Sequence, residues 1–347
     1  MALPSSGAIS LGQVNTELGL SATASINMGS TVVRTLFGIA SGAISMSNGY
    51  GKSNVFSLTL STNQQQINLR TLAVAAGWNQ SVAVVVTVNA GVYIWSDSLS
   101  VPAMTIDGSW PGGIKVVNNG YIMGKGGTGG GAISGNSQIA ALAGFTAISI
   151  AVAVTIDNTN ASAYIGGGGG GGGGFSSNVT NGVGVGGGGG AGGAPGGRTT
   201  YIAVAGSGGA VGSAGGNGST TGQDASGAGG GRIFPGVGGA GGAITDNILG
   251  GTAAGQGGGA GGGGGASKYV SKFSLSGAAG GGGGWGAAGG NGSANFQVAG
   301  SGGSGSAAGG SVGTDYLGAA GGKAVALNGF TVTWVSSNTT RVYGAVS

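Results

Sequence analysis

The chain has 347 residues, of which 92 are glycine and only 5% are charged, with no cysteine and no histidine. Lacking those two residue types, it has no thiol nucleophile, no Ser-His-Asp triad and no zinc site of the usual ligands, and seven carboxylates leave little for acid–base or metal chemistry, so neither an enzyme nor a cofactor is expected. The net charge of +4 rests on eleven cations against seven anions with no two Lys or Arg adjacent, which argues against a nucleic-acid partner.

Residues 1–56 predict a small helical module. Leu11, Val14 and Leu18 recur at helical spacing, with Ser10 as N-cap and Gly19 as a stop, and Val32, Val33, Leu36 and Phe37 suggest a second short helix. The pentapeptide Ser6-Gly7-Ala8-Ile9-Ser10 returns as Ser41-Gly42-Ala43-Ile44-Ser45. Two small helices bury little apolar surface alone, which points to a docking module, or else to a cap on the next domain. The opening residues carry no cationic start and no apolar run, so a secretory signal is not expected.

Residues 57–165 read as a domain of short strands. The β-branched run 82–88 is turned by Asn89-Ala90-Gly91 into 92–95, and 114–117 leads through Asn119-Gly120, the strongest hairpin signal, into 121–123. The uncharged stretch 139–156 is long enough to imitate a membrane span. Ile148, Ile150, Val152, Val154 and Ile156 nevertheless share one parity, which predicts one half-buried strand and no membrane insertion. A weak repeat links Asn118-Asn119-Gly120-Tyr121-Ile122 to Asn158 and Tyr164-Ile165, each read as a strand handing the chain to a glycine run. Asp97, Asp107 and Asp157 stand isolated and suit turns or caps.

From Gly166 to Gly322 there are 68 glycines, in runs at 166–174, 184–193, 206–216, 227–231, 236–242, 250–265, 277–290, 300–310 and 318–322. A flexible linker does not carry aromatic and aliphatic segments at every interval, as here at 201–204 and 269–273. Extended left-handed helices with three residues per turn make no internal hydrogen bonds and pair only with neighbours, and glycine permits that approach on all sides. The favoured reading is a packed polyglycine II sandwich, the alternatives being an irregular glycine-rich β structure or disorder. Residues 323–347 return to strand patterning, with a C-terminal β-hairpin expected across Asn328-Gly329 to close the domain. The fold class expected is therefore mainly β and polyglycine II. Motif matches to G-x-G-x-x-G follow from composition, and Gly51-Lys52-Ser53 lacks the glycine a phosphate loop needs five positions earlier, where Met46 stands.

Glycine runs alternating with short, mutually different segments resemble the receptor-binding tip adhesins on the long tail fibres of T-even-type bacteriophages. The openings at 5–15 and 41–53 and the close at 341–346 are similar to those of phage tail proteins. The resemblance implies a tail fibre adhesin on the virion that presents loops to a bacterial cell-surface receptor, an outer-membrane protein or a glycan, with other tail or fibre proteins as partners. The runner-up is a non-adhesive structural virion or matrix protein, but such proteins usually repeat one unit.

If successive runs go back and forth, connecting segments emerge alternately at opposite ends. The even set, 194–205, 232–235, 266–276 and 311–317, holds Arg198, Tyr201, Arg232, Phe234, Lys268, Tyr269, Lys272, Phe273 and Tyr316. The odd set, 175–183, 217–226, 243–249 and 291–299, has only Phe175 and Phe296 as aromatics. Arginines and aromatics dominate binding hot spots, so the nine even-set residues are the candidate receptor contacts.

Overall fold

The computed structural model describes residues 2–133, 137–177, 184–199, 204–221, 224–234, 252–253, 267–270, 275–279, 281–290, 293–296, 313–315, 317–337 and 339–347. At the N-terminus, helices α1 (Leu11–Glu17) and α2 (Thr31–Phe37) close over Leu3, Ile9, Val14, Val33, Leu36 and Phe37. Ser10 and Gln13 form a capping box on α1, and Gly38 ends α2 in the left-handed region at φ 74°. The repeated pentapeptide adopts one shape twice, with φ +87° at Gly7 and +86° at Gly42. The second copy leads through Ser45, which caps a short 3-10 turn, Met46–Gly49.

From Val55 the chain winds through three parallel sheets in turn, which makes a three-sided β-solenoid. The first sheet holds Val55–Leu60, Ala83–Val88, Ile114–Asn118, Val154–Asp157 and Val332–Trp334. The second holds Gln64–Gln65, Tyr93–Trp95, Tyr121–Met123, Tyr164–Gly166 and Val342–Tyr343. Ile67–Asn68, Met104–Ile106, Ile148–Ile150 and Val325–Ala326 make the third. Register stacks like on like inside, as in Val86–Val116–Ile156 and Ile94–Ile122–Ile165. These side chains are completely buried, and each contributes about 1.5–3 kcal/mol of hydrophobic stabilisation.

This architecture corrects three expectations. The segments 82–88 and 92–95, and likewise 114–117 and 121–123, are not hairpins, because each pair lies in different sheets and every solenoid ladder is parallel. Asn119-Gly120 makes a corner instead, where a Cβ on Gly120 would meet the Asn89 carbonyl oxygen at 2.6 Å. The stretch 148–156 is two strands that turn a corner at 151–153, and the alternation survives the corner because both strands face one core. The C-terminal segment is the last winding rather than a hairpin, since Val325–Ala326 pairs with Ile148–Ile150 and Val332–Trp334 with Val154–Asp157. Asn118 and Asn158 stack inside one corner, with Asn118 Nδ2 donating to Asn158 Oδ1 at 2.8 Å.

The glycine-rich chain leaves this solenoid and returns to it at one corner, between the second and third sheets. Residues 124–147 are the first excursion and 167–323 the second. Run 166–174 lies at the centre of the resulting bundle. Gly168 and Gly171 donate to the carbonyls of Phe145 and Leu142, Gly169 and Gly172 to those of Ala191 and Gly188, and Gly170 and Gly173 to those of Ala287 and Gly290, at 2.8–2.9 Å. The partner changes at every residue and comes round again after three. In return, Gly127 and Gly130 donate to Gly169 and Gly172, Gly283 donates to Gly170, and Ala319 and Gly322 donate to Gly171 and Gly168. Among the described residues, six extended segments thus surround the run.

Candidate functional site

The bundle has two unlike ends. At the end beside the solenoid, the extended segments reverse in two residues, at Gly192–Gly193, Val211–Gly212 and Trp285–Gly286, each using glycine with φ between +64° and +104°. The runs 184–193, 206–216 and 277–290 are therefore not single crossings. Each contains, or ends in, a reversal.

Connections at the other end are longer and form strands. The Gly131–Ile133 and Ser137–Ile139 hairpin follows the outward segment 124–130. A five-stranded sheet joins Thr220–Thr221, Asp224–Ala225, Gly184–Val185, Phe175–Ser177 and Gly313–Asp315. A four-stranded antiparallel sheet joins Thr252–Ala253, Ser267–Val270, Leu275–Ala278 and Ser293–Phe296. The two sheets and the hairpin touch one another, so they make one cap distal to the solenoid.

This geometry overturns the alternation of odd and even segments. Strands from 175–183, 217–226 and 291–299 share the distal cap with strands from 266–276 and 311–317. Glycine turns so tightly at the proximal end that, among the described residues, nearly every long connection is left to the distal one. Of the nine candidate contacts, Arg198 is exposed beside the distal hairpin, where its carbonyl oxygen abuts Gly131. Lys268 and Tyr269 sit on the distal strand Ser267–Val270, opposite Gly277 and Ser276. Tyr201, Lys272, Phe273 and Tyr316 lie outside the described residues.

Arg232 and Phe234 are corrected outright. They lie at the proximal end, 5% and 8% exposed, and cannot face a receptor. Phe234 stacks on Trp285, Tyr164 and Tyr343 with centroids 4.2, 5.3 and 5.9 Å away, and it fills the space over Gly166. Trp285 Nε1 donates to the Ile233 carbonyl at 3.0 Å. Arg232 pairs with Asp97 of the solenoid while its Nε donates to Gly192 O at 3.1 Å. Lys125 reaches Asp97 at 3.6 Å and donates to Gly193 O at 2.9 Å. Burial pushes the Asp97 carboxyl up, but hydrogen bonds from Arg232 and Trp95 and the charges of Arg232 and Lys125 outweigh it and leave the group below its ordinary value. Burial and the neighbouring Arg232 charge hold Lys125 below its ordinary value.

Aspartates read as turn residues thus divide. Asp97 locks the bundle to the solenoid, a role that nothing in its local sequence signals. Asp157 bonds Thr159 Oγ1 at 2.7 Å in a corner and pairs with Lys115 at 2.9 Å, and Asp107 accepts from Asn68 Nδ2 at 2.9 Å. Among the described residues, no group of three His, Cys, Asp or Glu could hold a metal ion.

A family model for the phage tail fibre adhesin Gp38 matches residues 55–256. No curated protein matches the chain. Among solved structures it is similar to the crystal structure of the gp37-gp38 adhesin tip complex of the bacteriophage S16 long tail fiber, at 20% identity and a TM-score of 0.46, covering 91% of this chain and 92% of that one.

Proposed function

Since the chain belongs to the phage tail fibre adhesin Gp38 family, and so serves host recognition from the virion's tail fibre, we propose that its receptor-binding surface is the distal cap of strands. The observation that carries this reading is the asymmetry of the bundle: two-residue glycine turns on the solenoid side, long and mutually different connections on the other. Arg198, Lys268 and Tyr269 belong to this surface. We extend the proposal to Tyr201, Lys272, Phe273 and Tyr316, which neighbour those segments in the sequence.

We further propose that the bundle is a polyglycine II sandwich. The three-residue return of hydrogen-bond partners along 168–173 supports that, as does the absence of bonds within the run. It would hold the cap rigidly at the end of the molecule. Residues 2–53, which lie outside the matched span and close over their own core, would attach the adhesin to another fibre protein. The role proposed is adhesion without a catalytic step.

The test is adsorption of the purified protein to bacteria. Replacing Lys272 and Phe273 together with serine should remove most adsorption while leaving the melting temperature in place. Full adsorption by that stable variant would move the receptor surface elsewhere.

A further inference from the structure

The pentapeptide that occurs twice in the N-terminal module is identical even at positions that folding leaves open. Gly7 and Gly42 need glycine for their positive φ, Ile9 and Ile44 pack into the module's core, and Ser10 and Ser45 cap the turns that follow. Ser6 and Ala8, with their counterparts Ser41 and Ala43, are exposed, and such positions tolerate most residues. Both copies nevertheless carry the same residues there, while the sequences that follow, Leu11-Gly12-Gln13 and Met46-Ser47-Asn48, differ.

Each copy is braced at both ends and leaves its middle unpaired. The Gly7 carbonyl accepts from Tyr50 Oη at 2.6 Å, and the Gly42 carbonyl from Arg34 Nη2 at 2.9 Å. Three residues on, Ser10 N–H donates to Gln13 Oε1 and Ser45 N–H to Asn48 Oδ1, each at 2.8 Å. Among the described residues, the N–H groups of Gly7, Ala8 and Ile9, and of Gly42, Ala43 and Ile44, have no partner, nor do the carbonyls of Ala8 and Ala43. The surrounding surface is almost free of charge. Residues 1–53 hold only Glu17, Arg34 and Lys52 as charged groups, and Glu17 is buried. Depletion of charge marks the core of protein interfaces.

We propose that the two copies are two equal docking loops, which engage two identical sites on a homo-oligomeric protein of the fibre or tail. This rests on the docking role proposed above for residues 2–53. Each site would be an uncharged extended segment of the partner. It would lie against glycine and alanine, small enough for close backbone approach, and bond to the free N–H and C=O groups. A cyclic homo-oligomer offers the same surface more than once, and two copies of one loop in one chain match that repetition. Neither contact need be strong, because the second forms at the effective concentration set by the first.

The test adds the purified full chain to phage particles assembled without it and measures how much sediments with them. Ala8→Gln and Ala43→Gln each put a long uncharged side chain in the way of the approaching segment. Each variant, melting as the wild type does, should leave the particles at least about tenfold faster, the two by similar factors, and the double variant should not be retained. Thr35→Gln, exposed on α2 but outside both loops, should join normally. Normal retention of the double variant overturns the proposal, as does loss from only one of the two loops, or an equal loss with Thr35→Gln. A released complex with one partner subunit per adhesin overturns it too. The docking role is read separately from a chain beginning at Val55, whose core is distinct from the module's. If that chain is lost while the double variant is retained, the module docks through another surface and only the two-loop proposal falls. If that chain is retained, both readings fall.

Discussion

At Gly170 the missing side chain is a packing requirement and not a conformational one. A Cβ there would lie 2.6 Å from the Ala319 carbonyl carbon and 2.7 Å from the Ala320 oxygen, both backbone atoms that six-sided packing holds in place. Gly284, in contrast, has nothing within 4 Å of the same construction. Gly170→Ala should therefore yield little soluble folded protein, whereas Gly284→Ala should melt within about 0.5 kcal/mol of wild type. Equal melting of the two would refute the enclosure. Nine glycines in a row announce such crowding, but Arg232 and Phe234 show where residue-level reading fails. A cation and an aromatic between glycine runs look the same in sequence whether they face a receptor or seal a joint. Asp97, the partner of Arg232, has a lowered pKa, so its stabilisation is full above the unfolded carboxylate's value of about 3.9 and is lost as pH falls through the folded value. Melting temperatures taken from pH 7 down to pH 3 should therefore fall less steeply for Asp97→Asn than for wild type. The variant should also begin lower at pH 7, because Arg232 is left buried without its counter-charge.

At the scale of an element, alternation was legible and pairing was not. Period-two patterning marks 82–88, 114–117 and 148–156 as half-buried whether the partner strand is antiparallel and adjacent or parallel and one winding away. Asn-Gly bends the chain in both cases, so the turn signal did not discriminate. What could have done so is the recurrence Tyr93-Ile94, Tyr121-Ile122, Tyr164-Ile165, an in-register repeat of an outward ring and an inward aliphatic once per winding. Two of its three copies are visible as a weak repeat, but the excursion of 124–147 and the corner at 159–163 make the period irregular and hide it. The corner asparagines carry a prediction of their own. Asn118→Ala would leave Asn158 Oδ1 and the Gly120 N–H, both buried, without their partner, at a cost of about 1–3 kcal/mol measurable by urea unfolding. Adding Asn158→Ala should cost less than the sum of the two single changes.

At the scale of the molecule, the N-terminal residues and the solenoid have separate cores. Leu3 N donates to Lys52 O, and Glu17 accepts from Ser53 and Asn54, so the module closes on itself. A chain beginning at Val55 should keep the solenoid's melting transition and adsorb to cells, yet fail to enter the particle. Normal incorporation of that chain would remove the docking role. The corner from which the bundle springs has a further consequence, a mechanical one. The chain crosses from solenoid to bundle four times, after Met123, before Ile148, after Gly166 and before Val325, in the third and fourth windings. If the distal cap holds the receptor as proposed, a tethered virion pulls on four backbones in parallel, each continuous with a strand of the solenoid. An adhesin hung from one linker would load a single strand end and peel. Here tension is divided among two neighbouring windings, and the joint must shear them together with the Asp97–Arg232 pair before it can open.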